Sequence, residues 1–370
     1  MKYRVKARLL ALFLALSMLA GLMTACETAH EPISLGVPYA HMRAVARVVW
    51  DLMLFDGKLY AAAGDYGRDI SPEKILRYDP IAACWEEAGV LDDEQILRFL
   101  VLDGSLYIPG TDPRSSWELG TFYRLEGDRF KEYLTIERGV HNFDMEAYDG
   151  KLFAAIGTDT NTYPVVVSKD GGESFQTVPL YREGVPETPA NAAGGEVNRI
   201  YNLFRLSAGL FLLYRGSLYR YDSETGVFQW QKEYRNYYLD ESTYVPILSD
   251  CEFSEYFFFT TMYLYRAPLE GEGIGEPQEI ELPDQEKISD LLVYGDTLYL
   301  LTFRKWGLSY TTKVYTTTDG EQFKETLSFT AGVPAMSFVY DGEGFYFGMG
   351  EINSSHEENG TVLYLPYRVK

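Results

Sequence analysis

The sequence predicts an all-β protein: a seven-bladed β-propeller with four-stranded antiparallel blades, its ring closed by an N-terminal strand. Two observations carry this prediction. An apolar run, a two-residue turn and a second apolar run recur about every 45 residues, a period typical of propeller blades. Aromatic residues make up 15% of the 370 residues, with 30 Tyr and 21 Phe, which favours strands over a helical bundle.

The recurring phrase marks the first hairpin of each predicted blade. Asp-Gly stands at the turn of the clearest copies, and both turn positions of such a hairpin need positive φ. The copies lie at 52–64, 100–110, 145–157, 203–214, 251–261, 291–302 and 338–350. A Gly- and Pro-containing stretch at 179–195 lengthens one interval, and we interpret it as an insertion between blades three and four.

The predicted ring closure follows from the last blade. It shows only three strands, at 335–340, 344–349 and 361–369. We therefore expect residues 33–39 near the N-terminus to supply its fourth strand, which protects the seam of the ring.

The N-terminus predicts export. Four basic residues lie within the first eight positions, and a mostly apolar run follows from Leu9 to Met23, which is typical of a signal peptide. The stretch 22–26 resembles a bacterial lipobox, in which the cysteine, here Cys26, is acylated. The resemblance implies a signal peptide at 1–25 and a lipidated tether at 26–32, with the protein on the outer face of the bacterial cell membrane. The repeats then predict a single propeller domain at 33–370. An ordinary secretory signal with a chance cysteine is the alternative.

The formal net charge of −21 limits the partners. A chain this acidic repels phosphate backbones and anionic lipid headgroups, so we expect no nucleic-acid binding and membrane contact through the lipid alone. Apart from Cys26 the chain has Cys84 and Cys251, in predicted blades one and five. We expect both to be free thiols, because their blades are well apart around the ring.

The segment SKDGGESF resembles the Asp-box, or BNR repeat, of sialidase-type propellers. A shorter version lies at 317–323, and segments 77–85 and 220–230 have a weaker likeness to kelch-like blades. The resemblance implies a structural turn between the third and fourth strands of a blade, with an aspartate bonded to the turn and an aromatic ring packed in the blade. Its positions here are Ser168, Asp170, Gly172, Ser174 and Phe175.

Loop lengths predict where a ligand binds. Loops joining second to third strands are long at 64–73, 110–120, 157–164, 303–310 and 350–360, and nearly absent in blades four and five. Exposed Trp and Tyr beside Arg and Asp suit a sugar or a protein hot spot equally well, and packing onto neighbouring loops is the structural alternative. The candidate ligand-binding residues in these loops are Tyr66, Arg68, Asp69, Asp112, Arg114, Trp117, Tyr163, Arg304, Trp306 and Tyr310.

No motif for a nucleophile, phosphate loop or metal site is present, so we expect no cofactor and no metal, and the catalytic residues stay unknown. His141 begins an innermost strand and could face the channel mouth, or could be structural. Asp159 and Asn161 could join a calcium site, or form an ordinary turn.

The sequence thus favours a surface-anchored propeller that binds an extracellular glycan or protein. One alternative is a glycan-active enzyme that uses carboxylates such as Asp69, Asp112 or Glu351. Another is a scaffold for a surface assembly.

Overall fold

The computed structural model describes residues 31–116, 118–158, 160, 162–187, 198–234, 249–261, 263–282 and 286–367. The predicted signal peptide and Cys26 lie outside these ranges. Within them the strands hydrogen-bond into seven sheets, which we number along the chain. No helix in the described ranges is long and apolar enough to cross a membrane.

Each sheet is built on strands that follow one another in the chain. Sheet one contains Leu52–Phe55, Lys58–Ala61, Lys74–Asp79 and Cys84–Val90. Sheet two contains Leu100–Leu102, Ser105–Pro109, Leu119–Glu126 and Arg129–Glu137. Sheet three contains His141–Tyr148, Lys151–Thr158, Val165–Ser168 and Gln176–Thr177, extended by Asp93–Gln95, Thr111–Pro113 and Asn198–Arg199.

The remaining sheets follow the same plan. Sheet four contains Leu203–Leu206, Gly209–Tyr214, Ser217–Asp222 and Val227–Glu233, with Leu180–Arg182 and Val185–Pro186 added at its outer edge. Sheet five contains Ser249–Phe253, Tyr256–Thr260, Leu264–Glu270, Gly273–Ile274 and Gln278–Ile280. Sheet six contains Lys287–Tyr294, Thr297–Trp306, Ser309–Thr317 and Lys324–Ala331. Sheet seven contains Ala335–Tyr340, Gly344–Met349, Val362–Pro366 and Ile33–Ser34. Two short 3-10 helices are Ala44–Ala46 and Tyr66–Arg68.

The hairpin turns form as their sequences predict. At Asp56 and Gly57 φ is 48° and 71°, and at Asp149 and Gly150 it is 53° and 67°. Both central residues therefore lie in the left-handed region, which asparagine, aspartate and glycine tolerate best.

The core lies between the sheets. Successive residues of a strand point to opposite faces, so Leu59 packs towards sheet seven while Tyr60 packs towards sheet two. Seven buried clusters result, each shared by two consecutive sheets, and one of them joins sheet seven to sheet one through Val339 and Leu52. This packing builds an all-β propeller from four-stranded antiparallel units.

The segment predicted as the closing strand is strand only at its start. Ile33 lies opposite Tyr364 and Ser34 opposite Leu363, in an antiparallel pair. Gly36, with φ of 89°, then turns the chain, and the Tyr39 hydroxyl donates to the Ala61 carbonyl at 2.8 Å. The prediction of a strand over all of 33–39 is therefore wrong, because Gly36 diverts the chain onto sheet one.

The segment at 168–175 turns between the third and fourth strands of sheet three. The Ser168 hydroxyl donates to Asp170 at 2.7 Å, and the carboxylate accepts the Ser174 amide at 3.0 Å. Phe175 packs edge-on against Phe122. Thr317 and Asp319 repeat these bonds in sheet six. Cys84 and Cys251 lie on sheets one and five and are free thiols.

Candidate ligand site at the mouth of the ring

The first strand of each sheet begins, and the second ends, at one end of the ring, which we call the mouth face. The predicted long loops at 64–73 and 350–360 lie there and contain no strand of a sheet, whereas 110–120 includes the short strand Thr111–Pro113. The segment 303–310 is different, because Thr297–Trp306 and Ser309–Thr317 continue pairing as far as Trp306 and Ser309. The prediction of a loop there is wrong: the aromatic residues Phe303, Trp306 and Tyr310 favour strand, and Gly307 with φ of 63° makes the tight turn.

A row of paired backbone positions runs along the mouth face from Gly64, just after the second strand of sheet one, across sheet three. We call it the rim ladder. Each member lies opposite the next across a pair of extended segments, so their side chains share one face. The members, in order, are Gly64, Gln95, Thr111, His141, Gly157 and Arg199.

Two glycines allow the rim ladder to form. A Cβ atom at Gly64 would lie 2.6 Å from the Glu94 carbonyl oxygen, and φ there is 118°. A Cβ atom at Gly157 would lie 2.9 Å from the ring of His141. Glycine is thus required at these two positions, where paired segments of the ladder approach most closely.

His141 and Asp112 lie together on the rim. His141 Nδ1 is 3.1 Å from Asp112 Oδ1, without the alignment of a hydrogen bond. Burial, and then the charge of Arg199, lowers the pKa of His141 to about 4, so the imidazole is neutral at neutral pH. Burial raises the pKa of Asp112, and Arg199 opposes that rise. The pair therefore offers a neutral ring and a carboxyl group to a ligand.

Two further acidic residues, Glu94 and Asp69, lie near Asp112. The pKa of Glu94 is raised to about 7, by burial and then by the nearby carboxylates of Asp112 and Asp69. Arg114 opposes this rise. Close carboxyl groups share a proton because two charges at short distance repel each other. Glu94 can therefore both donate and accept a hydrogen bond near neutral pH.

Aromatic rings continue the site towards sheet four. The His141 ring stacks on Phe143 with centroids 5.1 Å apart, and Phe143 contacts Tyr201 at 4.6 Å. The Arg199 guanidinium lies 5.9 Å from the Phe143 ring centre. All four side chains are partly exposed, so they form a mixed polar and aromatic surface.

The rim holds polar atoms that lack partners. In the described ranges, six buried side-chain nitrogen or oxygen atoms have no hydrogen-bond partner, and four of them are Thr111 Oγ1, His141 Nδ1, Asn142 Oδ1 and Arg199 Nε. Buried polar groups are nearly always satisfied in folded proteins. Three of the four belong to the rim ladder and Asn142 adjoins it, and this concentration indicates a place where a ligand or water completes the hydrogen bonds.

The hairpin of sheet six, residues 303–312, rises from the other side of the mouth face. Lys305 and Tyr310 are cross-strand partners and both contact Glu351, with Lys305 Nζ 3.1 Å from Glu351 Oε1 and the Tyr310 hydroxyl donating to the same oxygen. Tyr310 is thus buried rather than exposed, at 4%. Arg304 and Trp306 point to the opposite face, with the guanidinium 5.8 Å from the indole centre.

The other predicted residues divide between the site and its surroundings. Tyr66 is exposed in the 3-10 helix, and Arg68 beside it donates to Asp65 and to Asn353 of sheet seven. Tyr163 instead donates to the Glu187 carbonyl at 2.8 Å and packs on the core between sheets three and four. Trp117, Asp159 and Asn161 lie outside the described residues.

Carboxyl groups also line the axis beneath the mouth. The Asp51 carboxylate accepts the Phe99 amide at 2.6 Å, and Asp144 accepts the Leu203 amide at 2.9 Å, each from the next sheet. Arg98 lies 3.4 Å from Asp144. Burial raises the pKa of Asp51 and of Asp250 to about 7. No group of three or more His, Cys, Asp or Glu side chains among the described residues is placed to hold a metal ion.

Sequence reasoning missed Glu94, Phe143, Arg199 and Tyr201. They lie in segments just before or at the start of first strands, outside the long loops. The position of His141 at the start of a first strand was the available signal. Applied to Arg199 and Tyr201, which stand just before Leu203–Leu206, it would have placed them at the mouth as well.

No family model and no curated protein matches the chain. The likeness to Asp-box and kelch-like propellers therefore has no support beyond the turns themselves.

Solved structures give a likeness in fold. Virginiamycin B lyase from Staphylococcus aureus superposes with a TM-score of 0.59 at 12% identity, covering 91% of this chain and 99% of the lyase. A catalytically inactive histidine-to-alanine variant of that lyase, with quinupristin, gives 0.57 at 12% identity, covering 91% and 99%. The extracellular domain of a putative hybrid two-component system from B. thetaiotaomicron gives 0.55 at 9% identity, covering 90% of this chain and 42% of that one. YCF48 bound to D1 peptide gives 0.52 at 13% identity, covering 93% and 97%. At such identities the likeness shows the fold alone: this chain is similar to β-propellers and is itself an all-β propeller with four-stranded antiparallel blades.

Proposed function

We propose that this protein is a lipid-anchored, cell-surface β-propeller that binds an extracellular glycan at the rim ladder. In this proposal the seven sheets are seven blades, closed into a ring by Ile33–Ser34. The ligand lies over Asp112, His141 and Arg199, with the ring of Phe143 as a stacking platform.

Three buried polar atoms without hydrogen-bond partners carry this proposal, and they belong to Thr111, His141 and Arg199 of the rim ladder. A sugar presents hydroxyl groups that donate to carboxylates and to the neutral imidazole while accepting from a guanidinium. Its ring faces stack on aromatic side chains. The rim supplies all of these partners close together, from Asp112, His141, Arg199 and Phe143.

The direction of the chain supports a surface role. Ile33–Ser34 runs antiparallel to Val362–Pro366, whose first residue lies at the mouth face. The chain before Ile33 therefore comes from the opposite face of the ring. If Cys26 is lipidated, the mouth face points away from the membrane and towards extracellular ligands.

A glycan-array screen with the full chain tests the proposal. We expect selective capture by one class of glycan, and loss of at least about tenfold in affinity in the double variant His141→Ala, Asp112→Asn, since each lost hydrogen bond costs about 1 kcal/mol and tenfold corresponds to about 1.4 kcal/mol. The matched control is His356→Ala with Asp128→Asn, exposed positions outside the rim ladder. Wild-type affinity in the rim variant would refute this site.

An enzyme is the second candidate, favoured by the raised pKa of Glu94. A carboxyl group that titrates near pH 7 is suited to general acid or base catalysis. Incubating the protein with the glycans that it captures tests this candidate. New chain ends that are absent with the Glu94→Gln variant would support catalysis. Glycans that stay intact would support binding without catalysis.

A further inference from the structure

Residues 64–71, which lie between the second and third strands of sheet one, cross one end of the rim ladder. We call them the strap. Gly64 is paired with Gln95, and the Ser71 hydroxyl donates to the Asp93 carbonyl at 2.7 Å. These two contacts lie on either side of Glu94, so the strap is attached to the ladder around this residue.

Three carboxyl groups meet beneath the strap. The strand Asp93–Gln95 pairs with Thr111–Pro113 in a register that sets Glu94 opposite Asp112. The carboxyl groups of Glu94 and of Asp69, a residue of the strap, are hydrogen-bonded to each other. Such a bond needs one of the two groups to be protonated, because a carboxylate only accepts hydrogen bonds. A shared proton therefore links the strap to the ladder.

The acids around Glu94 keep this proton in place. Burial, and then the nearby carboxylates of Asp112 and Asp69, raises the pKa of Glu94 to about 7. On the far side of Asp112, the Nδ1 atom of His141 is buried without a hydrogen-bond partner, 3.1 Å from the carboxylate. This imidazole is neutral at neutral pH, so it brings no positive charge to the group.

The cations near the strap compensate these acids only in part. Arg114 lowers the pKa of Glu94, against the larger effects that raise it. Arg68 belongs to the strap, and it donates to Asp65 and to the loop of sheet seven. Arg199 lies farther along the ladder and acts on the acid opposite Glu94.

Two further acids precede Glu94 in the chain, and both have partners of their own. The Asp92 carboxylate accepts the Ser115 amide at 3.0 Å. Burial raises the pKa of Asp93 to about 7 as well, but its carboxylate accepts the Tyr123 hydroxyl at 2.6 Å inside sheet two. A test of the strap must therefore distinguish Glu94 from Asp93.

We propose that the strap is a pH-sensitive device at the mouth of the ring: the proton shared by Glu94 and Asp69 holds it on the rim ladder, and loss of this proton to water as the pH rises opens it. Without the proton, the carboxylates of Glu94, Asp69 and Asp112 repel one another at short distance. The proposal goes beyond the proposed function, because it concerns how the mouth is held and not what binds there.

The direction of the pH dependence follows from proton linkage. In the closed strap the pKa of Glu94 is about 7, whereas in an open strap it returns towards its ordinary value of 4.5. Between these values the closed form holds a proton that the open form has lost. Opening should therefore become easier by up to about tenfold for each pH unit in this window, and level off above pH 7.

Hydrogen–deuterium exchange of the full chain measures this opening. The amides of Asp65, Arg68, Asp69 and Ile70 are hydrogen-bonded within the strap, so they exchange when it opens. After correction for the intrinsic exchange rate, we expect a peptide that covers the strap to exchange at least about tenfold faster at pH 7.5 than at pH 5.5.

Two variants replace the shared proton by a permanent donor. Glu94→Gln and Asp69→Asn each introduce an amide group that can donate to the remaining carboxylate at every pH. Asp69 is exposed, and asparagine tolerates its φ of 53°. At pH 7.5 both variants should keep the protection that the wild-type strap has at pH 5.5.

The matched control is Glu132→Gln, in an exposed acid of sheet two whose pKa is also raised by burial, and it should keep the wild-type pH dependence. Melting curves confirm that the variants fold. Equal wild-type exchange at the two pH values overturns the inference. Wild-type pH dependence in a folded Glu94→Gln or Asp69→Asn variant also overturns it, and would assign the effect to another acid such as Asp93. The glycan screen judges the proposed function separately, so the two can fail independently.

Discussion

The rim ladder and the hairpin of sheet six are built in opposite ways. The ladder joins Gly64, which follows sheet one, to five strands of sheet three through backbone pairs, and Gln95 and Thr111 on it are 2% exposed. The hairpin is supported on one face by Glu351, whereas its tip is open, with Trp306 and Leu308 exposed at 74% and 93%. The ladder therefore fixes polar groups in place, whereas the tip of the hairpin adds exposed contact area.

Replacing a glycine by alanine should destabilise the protein more in the rim ladder than in the hairpin turn, and we expect this to be the largest difference between the two regions. Gly64→Ala would place Cβ 2.6 Å from the Glu94 carbonyl oxygen at a φ of 118°, and we expect a loss of about 2–3 kcal/mol in the free energy of unfolding. Gly307→Ala in the hairpin turn meets no atom within 4 Å at a φ of 63°, and it should cost about 1 kcal/mol. Urea unfolding of both variants measures the difference. Equal losses would mean that the ladder tolerates a side chain at Gly64.

The free energy of unfolding, measured across a pH series, should show opposite pH dependences for the buried carboxyls beneath the rim and for the aspartates in the exposed turns. Burial raises the folded-state pKa of Asp51 and Asp250 to about 7, well above their unfolded values, so the folded state holds protons that the unfolded state has lost. Stability should thus fall by at least about 1 kcal/mol as the pH rises from 5 to 8. The pKa of Asp170 and of Asp319, bonded in turns, is lowered to about 2, so their contribution is lost as the pH falls from 4 to 2.

Urea unfolding at pH 3, 5, 6.5 and 8 measures both the fall in stability above pH 5 and the loss of stability below pH 4. Asp250→Asn removes one buried titrating group. It should reduce the fall in the free energy of unfolding between pH 5 and 8 and leave the loss below pH 4 unchanged. Stability that increases between pH 5 and 8 would contradict the assignment of buried, protonated carboxyls on the axis.

Trp306→Ala should have the smallest effect on the fold and a modest effect on binding. Its ring is exposed and contacts Arg304, so the melting temperature should stay at the wild-type value. One stacking ring is worth about 1 kcal/mol, which predicts roughly fivefold weaker binding of the captured glycan. A large drop in melting temperature would show that the ring packs instead of binding.

Much of the fold could be predicted from the sequence because propeller units are local. Each sheet is made from strands that are neighbours in the chain, and Asp-Gly turns and alternating apolar residues mark them directly. The exposure of Tyr66 could be predicted because its segment stands between recognisable strands, whereas Trp306 is exposed although it ends the strand Thr297–Trp306. Tyr163 and Tyr310 lie in similar segments but bond to Glu187 and Glu351, contacts that loop length does not encode.

The rim ladder could not be predicted in this way. Its members are brought together by pairing between segments as far apart in the chain as Gly64 and Arg199. Glu94 and Arg199 stand in short connecting segments without a motif, and their importance depends on burial beside Asp112 and His141. Gly36 is a further case, because one residue with positive φ shortened the predicted closing strand.

The central claim is that a glycan occupies the mouth face at the rim ladder. A crystal structure of the full chain with the glycan that binds best in the array tests it most directly. The account predicts sugar density within hydrogen-bond distance of Asp112 and Arg199, with a sugar ring against Phe143. Density at the outer strands or at the opposite face of the ring, with the rim atoms bonded only to water, would contradict it.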